Sequence, residues 1–95
     1  MYSNEQSLKE VILELLKAYK LDDKMSETRI IASWEAVVGK VIAKHTQKLF
    51  INKKILFVTL DSAALREELS YARQKLIKAL NKKVGLEVIK DIVFR

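Results

Sequence analysis

Apolar residues recur along this chain with two different periods, and each change of period marks an element boundary. Leu8, Val11, Ile12, Leu15, Leu16 and Tyr19 return every three or four positions, with Lys9, Glu10, Glu14 and Lys17 between them. That spacing lays the apolar set on one face of a helix of about four turns, which Ser3 or Asn4 can cap. Leu21-Asp22-Asp23-Lys24 then reads as a connection, because paired aspartates favour turns over helix interiors. A second helix is predicted from Ser26, with Met25 and Ile30 placed as a hydrophobic staple around that cap. Its buried stripe is Ile30, Ile31, Trp34, Val37, Val38, Val41 and Ile42. Gly39 interrupts the stripe, either as a C-cap or as a close approach before a short extra turn, and His45-Thr46 end the helical pattern.

From there the period falls to two. Lys48 to Ile51 and Ile55 to Leu60 are rich in β-branched and aromatic residues and read as strands. Leu49 and Ile51 share a face with Leu56, Val58 and Leu60, while Phe50, Phe57 and Thr59 occupy the other. Asn52-Lys53-Lys54 joins the strands without the Asn-Gly that a two-residue hairpin prefers. A long third helix runs from a cap at Asp61 or Ser62 to Gly85, with Leu65, Leu69, Ala72, Leu76, Ala79 and Leu80 as its stripe. Glu67 and Glu68 suit its positive end and Lys82 and Lys83 its negative end. Glu87 to Arg95 reads as a last strand, with Ile92 and Phe94 on one face and Ile89 and Val93 on the other.

The order is α-α-β-β-α-β, an α+β domain with a three-stranded mixed sheet and helices packed mainly on one face. A right-handed crossover makes the third strand parallel to the second. This reading places it beside the first.

Composition narrows the chemistry. Ninety-five residues, 49% of them hydrophobic, make one domain over 1–95 with a single core. The lack of cysteine removes disulfides, thiolate metal sites and thiol catalysis, and the single histidine argues against an imidazole metal centre. No cofactor and no metal are expected. No apolar run approaches the roughly 20 residues that span a bilayer, and no signal peptide stands at Met1 to Glu10, so no membrane association is expected and a cytoplasmic location is the default. The chain has no proline, which leaves no rigid linker to divide it. Asp61-Ser62 has no histidine placed to activate the serine, so no catalytic residue is assigned and an enzyme is not expected.

Charge adds a direction. Between Lys40 and Lys83 stand eleven Lys or Arg against three Asp or Glu, a net +8 on a chain whose total is +6. A basic half on a small domain attracts a polyanion; a solvated lysine face is the alternative. Two clusters are candidates for nucleic-acid contact. Tyr71, Lys75, Lys78 and Lys82 recur at i, i+4, i+7 and i+11 on the outer face of the third helix. Lys53 and Lys54 form the hairpin tip, with Lys48 on the adjoining strand. Phe50 and Phe57 on the open sheet face can stack bases or contact a protein partner. The protein contact is favoured, because no arginine accompanies the rings on those two strands. Trp34 is read as core rather than as a stacking surface, and His45 as a local hydrogen-bonding group at a helix end.

Trp34-Glu35-Ala36-Val37-Val38-Gly39, then Ile42-Ala43-Lys44-His45-Thr46, then Leu56-Phe57-Val58 before a serine-initiated helix, and finally Ile89 to Arg95 resemble the DciA family. The resemblance covers 25–95, with 1–24 as an added N-terminal helix and connection. It implies a KH-like domain in a bacterial protein that assists the replicative DNA helicase, with single-stranded or tailed DNA as a further partner. Many members have a tryptophan early in the third helix, where this chain has Leu65. Longer members continue into a flexible tail implicated in contacting the helicase, whereas this chain stops at Arg95. RNA-binding KH domains clamp the backbone with a Gly-x-x-Gly loop. Here Gly39 and Gly85 are far apart, so that device is missing. The leading expectation is a nucleic-acid-binding accessory protein of bacterial DNA replication. The alternative is a protein-interaction module whose basic face meets an acidic partner.

Overall fold

The computed structural model describes the backbone of residues 5–95, and the side chains of that range apart from 5–7, 13 and 16–22. Helix α1 (Glu5–Val38) is followed by α2 (Lys40–Lys44), β1 (Thr46–Asn52), β2 (Ile55–Leu60), α3 (Ala63–Tyr71), α4 (Arg73–Val84) and β3 (Asp91–Phe94). The α+β class and the mixed three-stranded sheet are as the pattern predicts.

The two N-terminal helices are one. α1 runs for 34 residues straight through Leu21-Asp22-Asp23-Lys24. Aspartate lowers helix stability by only a fraction of a kcal/mol, and extending an existing helix costs far less than nucleating a second. No glycine or proline stands before Gly39 to stop it. Thr28 and Ser33 hydroxyls donate back to the Lys24 and Arg29 carbonyls, as side chains inside a continuous helix do. Ser26 is therefore a buried mid-helix residue and not a cap, and Met25 is exposed, so no staple forms. The proposed cap at Ser3 or Asn4 lies outside the described residues, as do the side chains of Leu16 and Tyr19.

Of the stripe expected to be buried at the start of α1, Leu8, Ile12 and Leu15 are 52%, 49% and 64% exposed and Val11 is half-buried. The core begins at Ser26 and Ile30, where α1 meets α4. Ile31 and Val41, placed in the second stripe, are exposed as well.

Gly39 separates α1 from α2 with φ 92° and ψ 167°, a region open only to glycine. The chain turns there and α2 is the short extra turn. β1 and β2 then form a hairpin with the anticipated faces, in a register that sets Ile51 opposite Leu56 and Leu49 opposite Val58. Its connection is shorter than the Asn52-Lys53-Lys54 of the sequence reading. Asn52 pairs with Ile55, which leaves a two-residue turn of Lys53 and Lys54 with φ of 50° and 64°.

The expected long third helix breaks at Ala72 (φ −95°, ψ 8°), where the amide bonds Leu69 three residues back. Just before it, Ser70 Oγ donates to the Glu67 carbonyl at 2.6 Å, a back-bond of the kind that often accompanies a helix bend. The break rotates the inward face. Ile77 is buried beside Leu76 and Leu80, while Ala79, assigned to the stripe, is exposed. Ser62 caps α3 by accepting from the Leu65 amide, and Gly85 ends α4 in the left-handed conformation.

β3 runs parallel to β2, as the crossover rule requires, but lies beside β2 and not beside β1. Strands consecutive in the chain are usually neighbours in the sheet, and the Lys90 amide bonding the Lys54 carbonyl guides the chain there. Ile89, expected on the open face, is core at 1% exposed.

Asn81 holds the approach to β3. Its Oδ1 accepts from the Val88 and Ile89 amides and its Nδ2 donates to the Ile89 carbonyl, at 2.8–3.1 Å. Asn81→Ala leaves three partly buried backbone groups without their partner and is expected to lower stability by about 2 kcal/mol in a urea titration. An unchanged midpoint overturns that role.

Candidate nucleic-acid interface

Alternation divides the sheet into two unlike faces. Leu49, Ile51, Leu56, Val58, Leu60, Ile92 and Phe94 face the helices and form or border the core. The opposite face carries three cross-strand rows. Phe50 pairs with Phe57 and Phe57 with Val93, while Asn52, Ile55 and Asp91 form a row at the hairpin end. At the other end Lys48 lies opposite Thr59, and hydrogen bonds from Arg95 N to Val58 O and from Leu60 N to Arg95 O carry the ladder to Arg95.

A register shift between Thr46 and Lys48 makes this division possible. The extra residue at the bulge lets Thr46 serve the helix side, where its hydroxyl accepts from Trp34 Nε1 at 3.0 Å and donates to the Ile42 carbonyl at 2.8 Å. Lys48 stays on the open face with Phe50. Trp34 is 2% exposed and belongs to the core, as read from the sequence.

The Phe50 and Phe57 rings stack, with centroids 4.8 Å apart and planes within 10° of parallel. That separation equals the spacing of neighbouring strands, so the rings stand face to face across the ladder instead of lying side by side. Arg95 brings its guanidinium carbon to 5.0 Å from the Phe57 centroid and 5.3 Å from that of Phe50. The Lys48 ammonium lies 5.2 Å from the Phe50 centroid. All three separations are within cation–π range.

Arg95 is not among the residues that the sequence pattern singles out, because it comes from the end of the third strand and not from the two that carry the rings. The signal was present in the alternation Asp91, Val93, Arg95, but it needs β3 beside β2 to bring Arg95 next to Phe57.

Lys53 and Lys54 stand at the exposed tip, both in left-handed backbone, with the Lys90 amide bonded to Lys54. Lys75, Lys78 and Lys82 are exposed on α4, in the helix layer on the far side of the sheet from the rings. Tyr71, 82% exposed, belongs to α3, and its hydroxyl meets Glu67 Oε1 at 3.3 Å. The break at Ala72 separates it from the three lysines, so the four-residue stripe expected on one helix does not form as such. The seven residues expected to contact nucleic acid are therefore spread over β1, the hairpin tip, α3 and α4.

His45 Nδ1 and Asp61 Oδ1 are 2.7 Å apart, and the Asp61 amide donates to the His45 carbonyl at 3.1 Å. This is the local hydrogen-bonding role expected of His45 at a helix end. Among the described residues it is also the one ion-pair geometry, and no ion pair joins a described lysine or arginine to a described carboxylate. No helix among the described residues is long and apolar enough to cross a membrane.

These features define a small α+β domain with an open sheet face of stacked aromatic rings and flanking cations. A family profile described as "Dna[CI] antecedent, DciA" matches residues 7–94, and the chain belongs to the DciA family. Curated relatives are named only as UPF0232 proteins. One from Corynebacterium glutamicum is 33% identical over 63 residues, covering 66% of this chain and 35% of the relative. One from Mycobacterium tuberculosis is 28% identical over 87 residues, covering 92% of this chain and 46% of the relative. A third, from Mycolicibacterium smegmatis and named for the recF-gyrB intergenic region, is 31% identical over 84 residues, 88% of this chain and 43% of its own length. The chain thus spans less than half the length of these relatives.

Proposed function

We propose that this domain binds DNA as an accessory protein of bacterial replication and associates with the replicative helicase, in the cytoplasm. The family description supports a role related to helicase loading. The observation that carries the DNA-binding part is the +8 stretch from Lys40 to Lys83, whose cations form no ion pair with a described carboxylate. A cation not already neutralised by the protein can neutralise a phosphate and release its counterion. Single-stranded or tailed DNA is the favoured ligand, and catalysis is not part of the role.

Salt dependence tests this reading. Each phosphate contact contributes roughly −0.7 to the slope of log affinity against log salt for a single strand. With about four contacts, raising salt from about 50 to 200 mM weakens binding about fiftyfold. Fluorescence anisotropy on a labelled oligonucleotide measures the slope. A slope near zero, or no binding at low salt, overturns the proposal and favours a basic face built for an acidic protein partner.

A further inference from the structure

We propose that the open sheet face, with the Phe50–Phe57 ring stack and its flanking Arg95 and Lys48, is a seat for an unpaired base of single-stranded DNA. The inference rests on the DNA-binding reading above and goes beyond it by naming a site and a strand state. Charge alone attracts any phosphate chain, duplex or single. Aromatic rings stack only on bases that are not already stacked and paired.

Four observations carry it. The two rings are outside the core cluster, so their aromatic character is not needed to fill the interior. They stand in direct cross-strand register and are stacked, which supplies a rigid π surface at low entropic cost. Both flanking side chains are cations within 5.3 Å of a ring centroid, and neither has a carboxylate partner. Thr59 lies between those cations on the same face, adding a hydroxyl that can donate or accept.

The occupant follows from charge. An apolar protein surface laid on these rings strips water from Arg95 and Lys48 and returns no anion, which is unfavourable for both. A nucleotide brings a base for the rings and a phosphate for the cations in one ligand. That combination of ring stacking with a basic track is how sequence-tolerant single-strand binders work. The one acidic side chain on this face, Asp91, is at the hairpin end and accepts from the Ile92 amide at 2.8 Å. The arginine whose absence from the two ring-bearing strands argued for a protein contact is supplied by the third.

The test uses the full 95-residue chain and a single-stranded oligonucleotide carrying 2-aminopurine, whose fluorescence is quenched on stacking. The parent is expected to quench the probe. Phe50→Leu with Phe57→Leu keeps apolar side chains but removes the π faces, and thermal melting confirms the fold. This variant is expected to lose the quenching and to bind the single strand roughly five- to a hundredfold more weakly. Its affinity for a blunt duplex and its salt slope are expected to match the parent's, since stacking releases no counterions. Arg95→Gln, which leaves both rings in place, is expected to make the salt slope shallower by about 0.7.

Salt-dependent binding with no quenching, or ring replacement that leaves single-strand affinity unchanged, overturns the platform and leaves the rings as a protein contact. DNA binding itself survives that result. No binding of either DNA at low salt removes the broader reading together with the platform. Equal losses on single strand and duplex show that the rings do not read unpaired bases, and also overturn the proposal.

Discussion

Trp34→Ala is expected to destabilise the domain by about 3–5 kcal/mol, a large share of the stability of a chain this size. The indole is 2% exposed among Ile30, Leu56 and the other core side chains of the sheet and α4. Removing it opens a cavity the surrounding helices and sheet can fill only in part. The ring also ties elements together, because its N–H reaches Thr46 on β1 and the Thr46 hydroxyl reaches the Ile42 carbonyl on α2. Alanine breaks that chain at its first link. Trp34→Phe retains most of the buried area but loses the hydrogen bond, and should cost about 1–2 kcal/mol. Urea titrations of both variants give the two numbers. If Trp34→Ala melts with the parent, the tryptophan is not the keystone of the core, whatever it does to DNA binding.

How much of this was legible in the sequence depended on how local the cause was. Strand faces are set by strict alternation, so Leu49, Ile51, Leu56 and Val58 sorted correctly from Phe50 and Phe57 before any pairing was known. Gly39, Ser62 and Gly85 carry their own local signals, and each does what its residue type suggests. Burial was less legible. A helical apolar stripe shows which residues share a face but not whether another element reaches that face, so Leu8, Ile12 and Leu15 look like core and are exposed. The break at Ala72 has no glycine or proline to announce it. It moved Ile77 into the core and detached Tyr71 from the lysines of α4. Arg95 and Asn81 were missed for the same reason. Each acts on a neighbour supplied by the tertiary fold, Asn81 across the turn that leads into β3 and Arg95 across two strands.

One basic cluster stands at the hairpin tip and the other on α4, which makes their comparison decisive. Lys53→Glu with Lys54→Glu and Lys75→Glu with Lys78→Glu change the net charge equally, and all four side chains are exposed, so both variants should keep the fold. A long-range field weakens both alike, whereas a contact site shows itself as the pair that matters more. The hairpin pair is expected to weaken single-strand binding by roughly a hundredfold, on the order of one strong charged hydrogen bond per lysine after solvent screening. The helix pair is expected to cost roughly tenfold or less. The reason is geometric: the tip continues the same sheet that carries Phe50 and Phe57, and α4 sits in the layer behind it. The backbone gives an independent handle. Both tip lysines hold positive φ, a conformation that Asn-Gly adopts with little strain and lysine does not. Lys53→Asn with Lys54→Gly should therefore raise stability by about 1 kcal/mol or more while still weakening DNA binding. A variant that folds better and binds worse has not lost its binding to unfolding, and the comparison of the hairpin pair with the α4 pair separates a lost contact from a weakened field. If it binds DNA as the parent does, or if the α4 pair proves the more costly, the phosphate track runs along the helices and the tip is not part of it.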